Sequence, residues 1–403
     1  MNNYKNKEIK YLEKRYKIKI SKEITLDEYI DIKRNIFICD LCKNNIAITN
    51  NNKKLNNKKF FNNKNIEYKY SYLRFDSNIL YNDFSKDFYS IKSSAKEKIF
   101  FTNCGMSAIT ATLLSLEQVL KDCKIIFLDN DIYFETYDFY NKYILKNYDI
   151  ENKNAKKIIY IDSICKKFDY NKYLNIINST ENVFGLIFDT TCFEPTEISS
   201  FINFVLSKNI FCILIRSHTK LDMMASEISS IGSLNFLIPN KTEQNKFNII
   251  KNIISQVYYI LGKFGSLCKP DEFPEFIFDK DFKKINKNRL NMLEKNNVNL
   301  YKEIKNLTNG KSILPNHKKF VLFIINNSVN SEEQNLIIKN KLKSFVEEKN
   351  NINYACSFGF DFIALDSYYD INEKNFVIRI SMNDCIENKK LIIEIKEFLN
   401  DNF

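Results

Sequence analysis

The chain has 403 residues, 44% of them hydrophobic, and a formal net charge of +11. That length and apolar content suit one large or two moderate globular domains and exclude a disordered or fibrous chain. No apolar run approaches the roughly 18 residues of a membrane span, and the opening MNNYKNKEIKYLEKRYKIKISKE has no apolar signal region, so no membrane association and a cytoplasmic location are expected. The basic residues are interleaved with asparagine, isoleucine and acids along the whole chain, so no nucleic-acid partner is expected. Ten cysteines scattered through apolar segments read as reduced core thiols rather than a disulfide frame.

In chain order, residues 1–85 read as an N-terminal arm, helical near 5–16 and 26–34. Its Cys39-Asp40-Leu41-Cys42 is a lone CxxC with no second pair or nearby histidine, so no metal site is expected, and NNNKKLNNKKFFNNKN reads as a solvated link. Residues 86–268 read as a large domain with strand candidates at 98–102, 124–129, 157–162, 183–189 and 210–215 alternating with helices. Such alternation predicts an α/β fold with a mostly parallel sheet covered on both faces. After the first strand, Asn103-Cys104-Gly105-Met106-Ser107 opens a helical pattern from Ala108 to Leu120. Gly105 allows close backbone approach there, and free N–H groups at a helix start accept phosphate. Tyr133 follows the second strand, where a ring would stack on a cofactor.

The fourth strand ends in Asp189, and the fifth runs into Arg216-Ser217-His218-Thr219-Lys220. A lysine leaving the core in this way is a candidate nucleophile able to form a Schiff base with an aldehyde. A strand-end acid one α/β unit earlier is what pyridoxal phosphate (PLP) chemistry needs to keep the pyridine nitrogen protonated. The only histidines, His218 and His317, are given no catalytic role. PDEFPEF, from Pro270, reads as a hinge after the helical run Glu243 to Leu261. Residues 269–403 then form a small α+β domain: a helix near 282–307, the strand KFVLFIIN, a helix at 332–348, a strand carrying Arg379, and a last helix at 387–399.

The order Gly105-Met106, Tyr133 with Thr136-Tyr137, Asp189, then Ser217-x-Thr219-Lys220 resembles the Cys/Met-metabolism PLP-dependent enzymes, the group of cystathionine γ-synthase, cystathionine lyases and methionine γ-lyase. FTNCGMSAITATLLSL is similar to their Ser-Gly-Met-Ala-Ala-Ile helix start, YACSFGFDFIAL to their Ser-Leu-Gly-Gly segment, FVIRISM to their Val-Arg-Leu-Ser strand, and YSYLRFDSN to their Tyr-Ser-Arg-x-x-Asn segment. The resemblance implies PLP fold type I, aspartate aminotransferase-like, with Lys220 as the Schiff-base lysine and Asp189 on the pyridinium nitrogen. It implies that Gly105, Met106, Ser217 and Thr219 bind the phosphate, that Tyr133 stacks on the ring and moves protons, and that Arg379 and Ser357 bind the substrate carboxylate. Tyr72 and Arg74 would reach the phosphate of a neighbouring subunit, which implies a homodimer or homotetramer.

Phe134 and Glu135 stand where the family has two small residues, Asp189-Thr190-Thr191 replaces its Asp-Asn-Thr, Lys166 falls on or near its cofactor-contacting asparagine, and Met224-Ala225-Ser226-Glu227 replaces its Gly-His-Ser-Asp. The cofactor site is thus kept and the substrate site altered. The expected activity is a PLP-dependent lyase or transferase of trans-sulfuration type, performing β- or γ-elimination or replacement on a sulfur-containing or O-activated amino acid. The alternatives are a transaminase or decarboxylase, or a non-catalytic basic binding protein on the same scaffold.

Overall fold

In the computed structural model, the described residues are 3–21, 23–42, 66–68, 79–92, 95–120, 123–128, 132–144, 155–164, 169–326, 328–349, 351–370, 374–385 and 389–403. They cluster into two units, one from 39–219 and 229–275, the other from 1–38, 220–228 and 276–403.

In the first unit, β1 (Ile66–Tyr68) and β2 (Ile79–Tyr81) form a small antiparallel pair. The apolar runs form a six-stranded sheet: β3 (Ala95–Thr102), β4 (Cys123–Phe127), β5 (Lys156–Ile161), β6 (Val183–Asp189), β7 (Phe211–Ser217) and β8 (Gly232–Pro239), in the order β3-β8-β7-β6-β5-β4. From β4 to β7 neighbouring strands pair in parallel, while β8 runs antiparallel to both β7 and β3. The five expected strands are present, and β8 is an addition. Its eight residues are all buried, but Ser233 and Asn235 interrupt the apolar run and hide it from a periodicity reading. Distant partners take up these polar groups, His218 the Ser233 hydroxyl and Glu97 the Asn235 amide nitrogen.

Helices Gly105–Val119 and Gln244–Lys263 pack on each other beside this sheet. Ile250, Ile253, Val257 and Ile260 recur at three and four and face Ala108, Leu113 and Leu116 in one core. Truncating Leu116, fully buried there, to alanine should cost about 2–5 kcal/mol.

The second unit holds a five-stranded sheet, β9 (Gly310–Ile313), β10 (Val321–Ile325), β11 (Ile352–Tyr354), β12 (Ile363–Asp370) and β13 (Asn375–Ser381), in the order β11-β12-β13-β10-β9. Helices Lys280–Ile304, Glu332–Glu347 and Lys389–Asn402 belong to it. Helix Asn3–Tyr16 and helix Leu26–Cys42 as far as Ile38, read from sequence as part of the N-terminal arm, fall in this unit. An aromatic group explains this: Phe37 stacks on Phe276 at 4.4 Å, and Tyr11 and Phe37 meet Phe282 edge-on at 6.0 and 5.9 Å. Among the described residues no helix is long and apolar enough to cross a membrane.

Candidate active site

β3 hands the chain through a short turn to the helix at Gly105. Cys104 caps it: its backbone is extended, and its Sγ accepts the Ser107 N–H at 3.3 Å while the Ser107 hydroxyl donates to Asn103 Oδ1 at 2.6 Å. The N–H groups of Gly105 and Met106, first in the helix, have no intrahelical acceptor and carry its positive dipole end. A Cβ on Gly105 would lie 2.9 Å from the Ser217 Cβ, so only glycine lets this helix start rest on the end of β7. Two residues expected around a phosphate are thereby neighbours.

Asp189, at the end of β6, is 6% exposed, and its Oδ1 accepts the Thr191 N–H at 2.9 Å and the Thr191 hydroxyl at 2.6 Å. The same hydroxyl oxygen accepts the Ser217 N–H at 3.0 Å. A relay therefore ties the acid-bearing strand end to the strand end that precedes Lys220. Thr190 reinforces it, with its N–H and hydroxyl on the Ile215 carbonyl at 2.7 and 3.0 Å and its oxygen 2.9 Å from the Tyr89 phenol. Arg216, fully buried, donates to the carbonyls of Thr190 and Phe193, its guanidinium 5.4 Å from the Phe88 ring centroid.

His218 is a core residue. Its Nε2 lies 2.9 Å from the Ser233 hydroxyl, and its ring meets Phe88 edge-on at 5.2 Å. The Thr219 hydroxyl donates to the Ser229 carbonyl at 3.3 Å and accepts the Ile231 N–H at 3.2 Å, fastening the return into β8. Tyr133 is half-buried, and its N–H donates to Asp162 Oδ2 at 3.0 Å. Asp162, just past β5, also accepts the Ile164 N–H at 3.0 Å. Burial, with Asp162 and Asp189 nearby, raises the pKa of the Tyr160 phenol well above its ordinary range. Sequence reading missed Asp162 and Tyr160; the signal available was an acid directly after a buried strand, the same one that marked Asp189. Phe134 and Glu135 are both exposed.

In the second unit, Lys220 is half-buried with its Nζ 5.1 Å from the Phe358 ring centroid. The Arg379 guanidinium lies 5.8 Å from the same centroid and 5.9 Å from that of Phe320. Lys220 and Arg379 thus share one aromatic ring. Arg379 sits on β13 opposite Asp366 of β12, and its Nη2 donates to Asp366 Oδ2 at 2.9 Å. Its Nε is buried and has no hydrogen-bond partner among the described residues. Ser357, half-buried, directly precedes Phe358. Tyr72, Arg74 and Lys166 lie outside the described residues.

No protein-family model matches the chain, and no curated protein matches its sequence. Among solved structures, SPT with PLP is similar at a TM-score of 0.50 and 11% identity, over 79% of this chain and 74% of that one. Alanine aminotransferase from Pyrococcus furiosus follows at a TM-score of 0.49 and 13% identity, covering 75% and 76%. A methionine gamma lyase from Micromonospora echinospora gives a TM-score of 0.48 and 11% identity, covering 75% and 80%. The likeness is one of fold: a mixed α/β fold with a mostly parallel central sheet, fold type I of PLP-dependent enzymes.

Proposed function

We propose that the chain is a PLP-dependent enzyme that acts on an amino acid by β- or γ-elimination or replacement. The observation that carries this reading is the placement of Lys220 and Arg379 around Phe358, an amine for an aldehyde cofactor and a guanidinium for an α-carboxylate on one ring. The residues fit the cofactor: Gly105 lets the helix start, with its free N–H groups, rest against Ser217 at the end of β7, and Asp189 is a buried acid fixed by Thr191.

PLP, when bound, supplies the aldehyde and the electron sink for a carbanion at the substrate Cα. The N–H groups of Gly105 and Met106, with the Ser217 hydroxyl and the Thr219 backbone N–H, would hold the phosphate, since the Thr219 hydroxyl already donates to Ser229; Asp189 would hold the proton on the ring nitrogen. Tyr133, oriented through Asp162, stacks and moves a proton at the substrate amine. Lys220 Nζ would provide the amine that holds the cofactor and would move the proton at the substrate Cα. Arg379 and Ser357 would hold the carboxylate, with Asp366 sharing the guanidinium. Tyr72 and Arg74 complete the phosphate site of a second copy in a homodimer or a tetramer of dimers.

Borohydride reduction of the PLP-loaded protein should fix the cofactor on Lys220, read by peptide mapping. An adduct on any other lysine, or none, removes this reading. Product analysis with cystathionine, methionine, cysteine and O-acylated homoserine then decides the reaction type: a keto acid with loss of the side-chain group supports elimination, and amino-group exchange supports transamination instead.

A further inference from the structure

A cluster of charges with no role in the chemistry above reaches the backbone of the segment after Lys220 and of the loop carrying Phe358. Lys5 and Glu8 of the first helix, Lys33 of the second, Arg289 of the Lys280–Ile304 helix, and Asp361 and Asp384 are each at most 2% exposed. Lys5 lies 2.6 Å from Asp361, 3.2 Å from Asp384 and 3.6 Å from Glu8. Lys33 Nζ has three donors and three acceptors: Glu8 Oε1 at 3.0 Å, Asp361 Oδ2, and the Met224 carbonyl at 2.7 Å. Three cations thus face three carboxylates.

Burying such a set returns little net stability, since well-packed apolar side chains do as well or better. What the set does reach is the segment after Lys220 and the loop carrying Phe358. Met224, Ala225 and Glu227 have φ of 51°, 63° and 45°, a left-handed geometry costing about 1–2 kcal/mol per residue that persists where surroundings over-determine it. Lys33 holds the first of these carbonyls, and Asn286 holds the Leu221 carbonyl at 2.7 Å. Arg289 donates to the carbonyls of Gly359 and Phe360, and Gly359, at φ 88°, is so close to Lys220 that a Cβ would come within 2.5 Å of its carbonyl oxygen.

We propose that Lys33 is a positioning residue for Lys220: by bridging Met224 and Asp361 inside the cluster, it fixes where the Lys220 amine stands against Phe358. The proposal rests on the reading of Lys220 as the cofactor amine. Its test uses the full chain carrying Lys33→Met together with Glu8→Gln, which removes one cation and one carboxylate and keeps the charges balanced.

Two readouts are taken well below the unfolding midpoint. Protein without added PLP is briefly labelled with acetic anhydride, and labelling of Lys220 is measured relative to Lys390, whose side chain is 89% exposed. Protein with PLP is reduced with borohydride, and the fraction of bound cofactor fixed to Lys220 is measured. The expected result is a shift in relative Lys220 labelling of about tenfold, the scale of a sub-ångström to ångström misplacement, and a smaller fixed fraction at unchanged PLP content. Unchanged relative labelling in a folded variant overturns the proposal, whatever its unfolding midpoint. Absence of fixation at Lys220 in the unmodified chain removes the cofactor reading instead, and the labelling still decides the role of Lys33. If the double variant does not fold, Lys33→Arg, which keeps the charge but replaces a three-way ammonium by a planar fork, is read by the same two measurements.

Discussion

The six-stranded-sheet unit and the unit around β9–β13 bury polar groups by different means. In the first, Asp189, Thr191, Ser217, Arg216 and His218 are satisfied through backbone amides, carbonyls and hydroxyls. In the second, whole charges answer whole charges, as in Lys5, Lys33 and Arg289 against Glu8, Asp361 and Asp384. Hydrogen-bonded groups are directional and individually modest, near 1 kcal/mol each. A buried ion cluster is costly to open at any one member, because the remaining charges are left uncompensated. Loss of one group should therefore be felt as lost chemistry in the first unit and as lost stability in the second.

The largest effect expected is catalytic and falls in the first unit. Asp189→Asn should still bind PLP, seen by its visible absorbance, yet lose about a thousandfold in turnover, equivalent to roughly 4 kcal/mol of transition-state stabilisation. A variant as fast as the parent would mean that another carboxylate serves the ring nitrogen. In the second unit, Asp361→Asn should lose about 3–5 kcal/mol in urea unfolding. A loss below about 1 kcal/mol, the scale of a single neutral hydrogen bond, would erase the contrast.

Titration sharpens the comparison. Burial alone would raise the Asp361 pKa, but Lys33, then Lys5 and Arg289, outweigh it and hold the carboxyl well below its ordinary 3.8. Glu8 is likewise lowered from 4.5, with Lys33 and Lys5 overcoming its burial, and Lys5 is raised above 10.5 by Asp361, Asp384 and Glu8 against the penalty of burial. The carboxylates' contribution is present above their unfolded values and lost as pH falls through the folded ones. That of Lys5 is present below 10.5 and lost as pH rises beyond it. The unit should hold its stability across neutral pH and lose it only at the extremes.

His317 breaks that plateau on the acid side. Burial, then Lys319, lowers its pKa from 6.5 to about 3, and its Nδ1 accepts the Lys319 N–H at 3.0 Å. The folded ring stays neutral, so its contribution is present above 6.5 and shrinks as pH falls towards 3. Between pH 7 and 5 the parent should lose about 2 kcal/mol more than His317→Gln in urea unfolding; parallel pH curves for the two would contradict this. The smallest effect belongs to the relay: Thr191→Val should cost about 1–2 kcal/mol of stability and weaken PLP binding through Ser217. An unchanged PLP affinity would show that the relay does not set the phosphate site.

These contrasts also mark what a sequence can disclose. β3 to β7 were legible because each carries a short continuous apolar run, and Lys220, Asp189 and Gly105 because each stands where such a run ends. β8, β9, β11 and β12 were not. In β12, IALDSYYD, Asp366 makes sense only opposite Arg379, a partner in another strand. Asp162 escaped although it repeats the Asp189 pattern. Nothing local to Lys5, Glu8 and Lys33 announces that Asp361 and Asp384 will enclose them.

The separation of Lys33 from Asp361 has a consequence for synthesis. They are 328 residues apart, so at roughly 5–20 residues per second the carboxylate leaves the ribosome tens of seconds after the lysine. Throughout that interval the first two helices can keep their ammonium and carboxylate groups hydrated. The same charges that end up sealed inside the protein would thus act, on the nascent chain, as a solubilising tag that is withdrawn only when the last strands arrive.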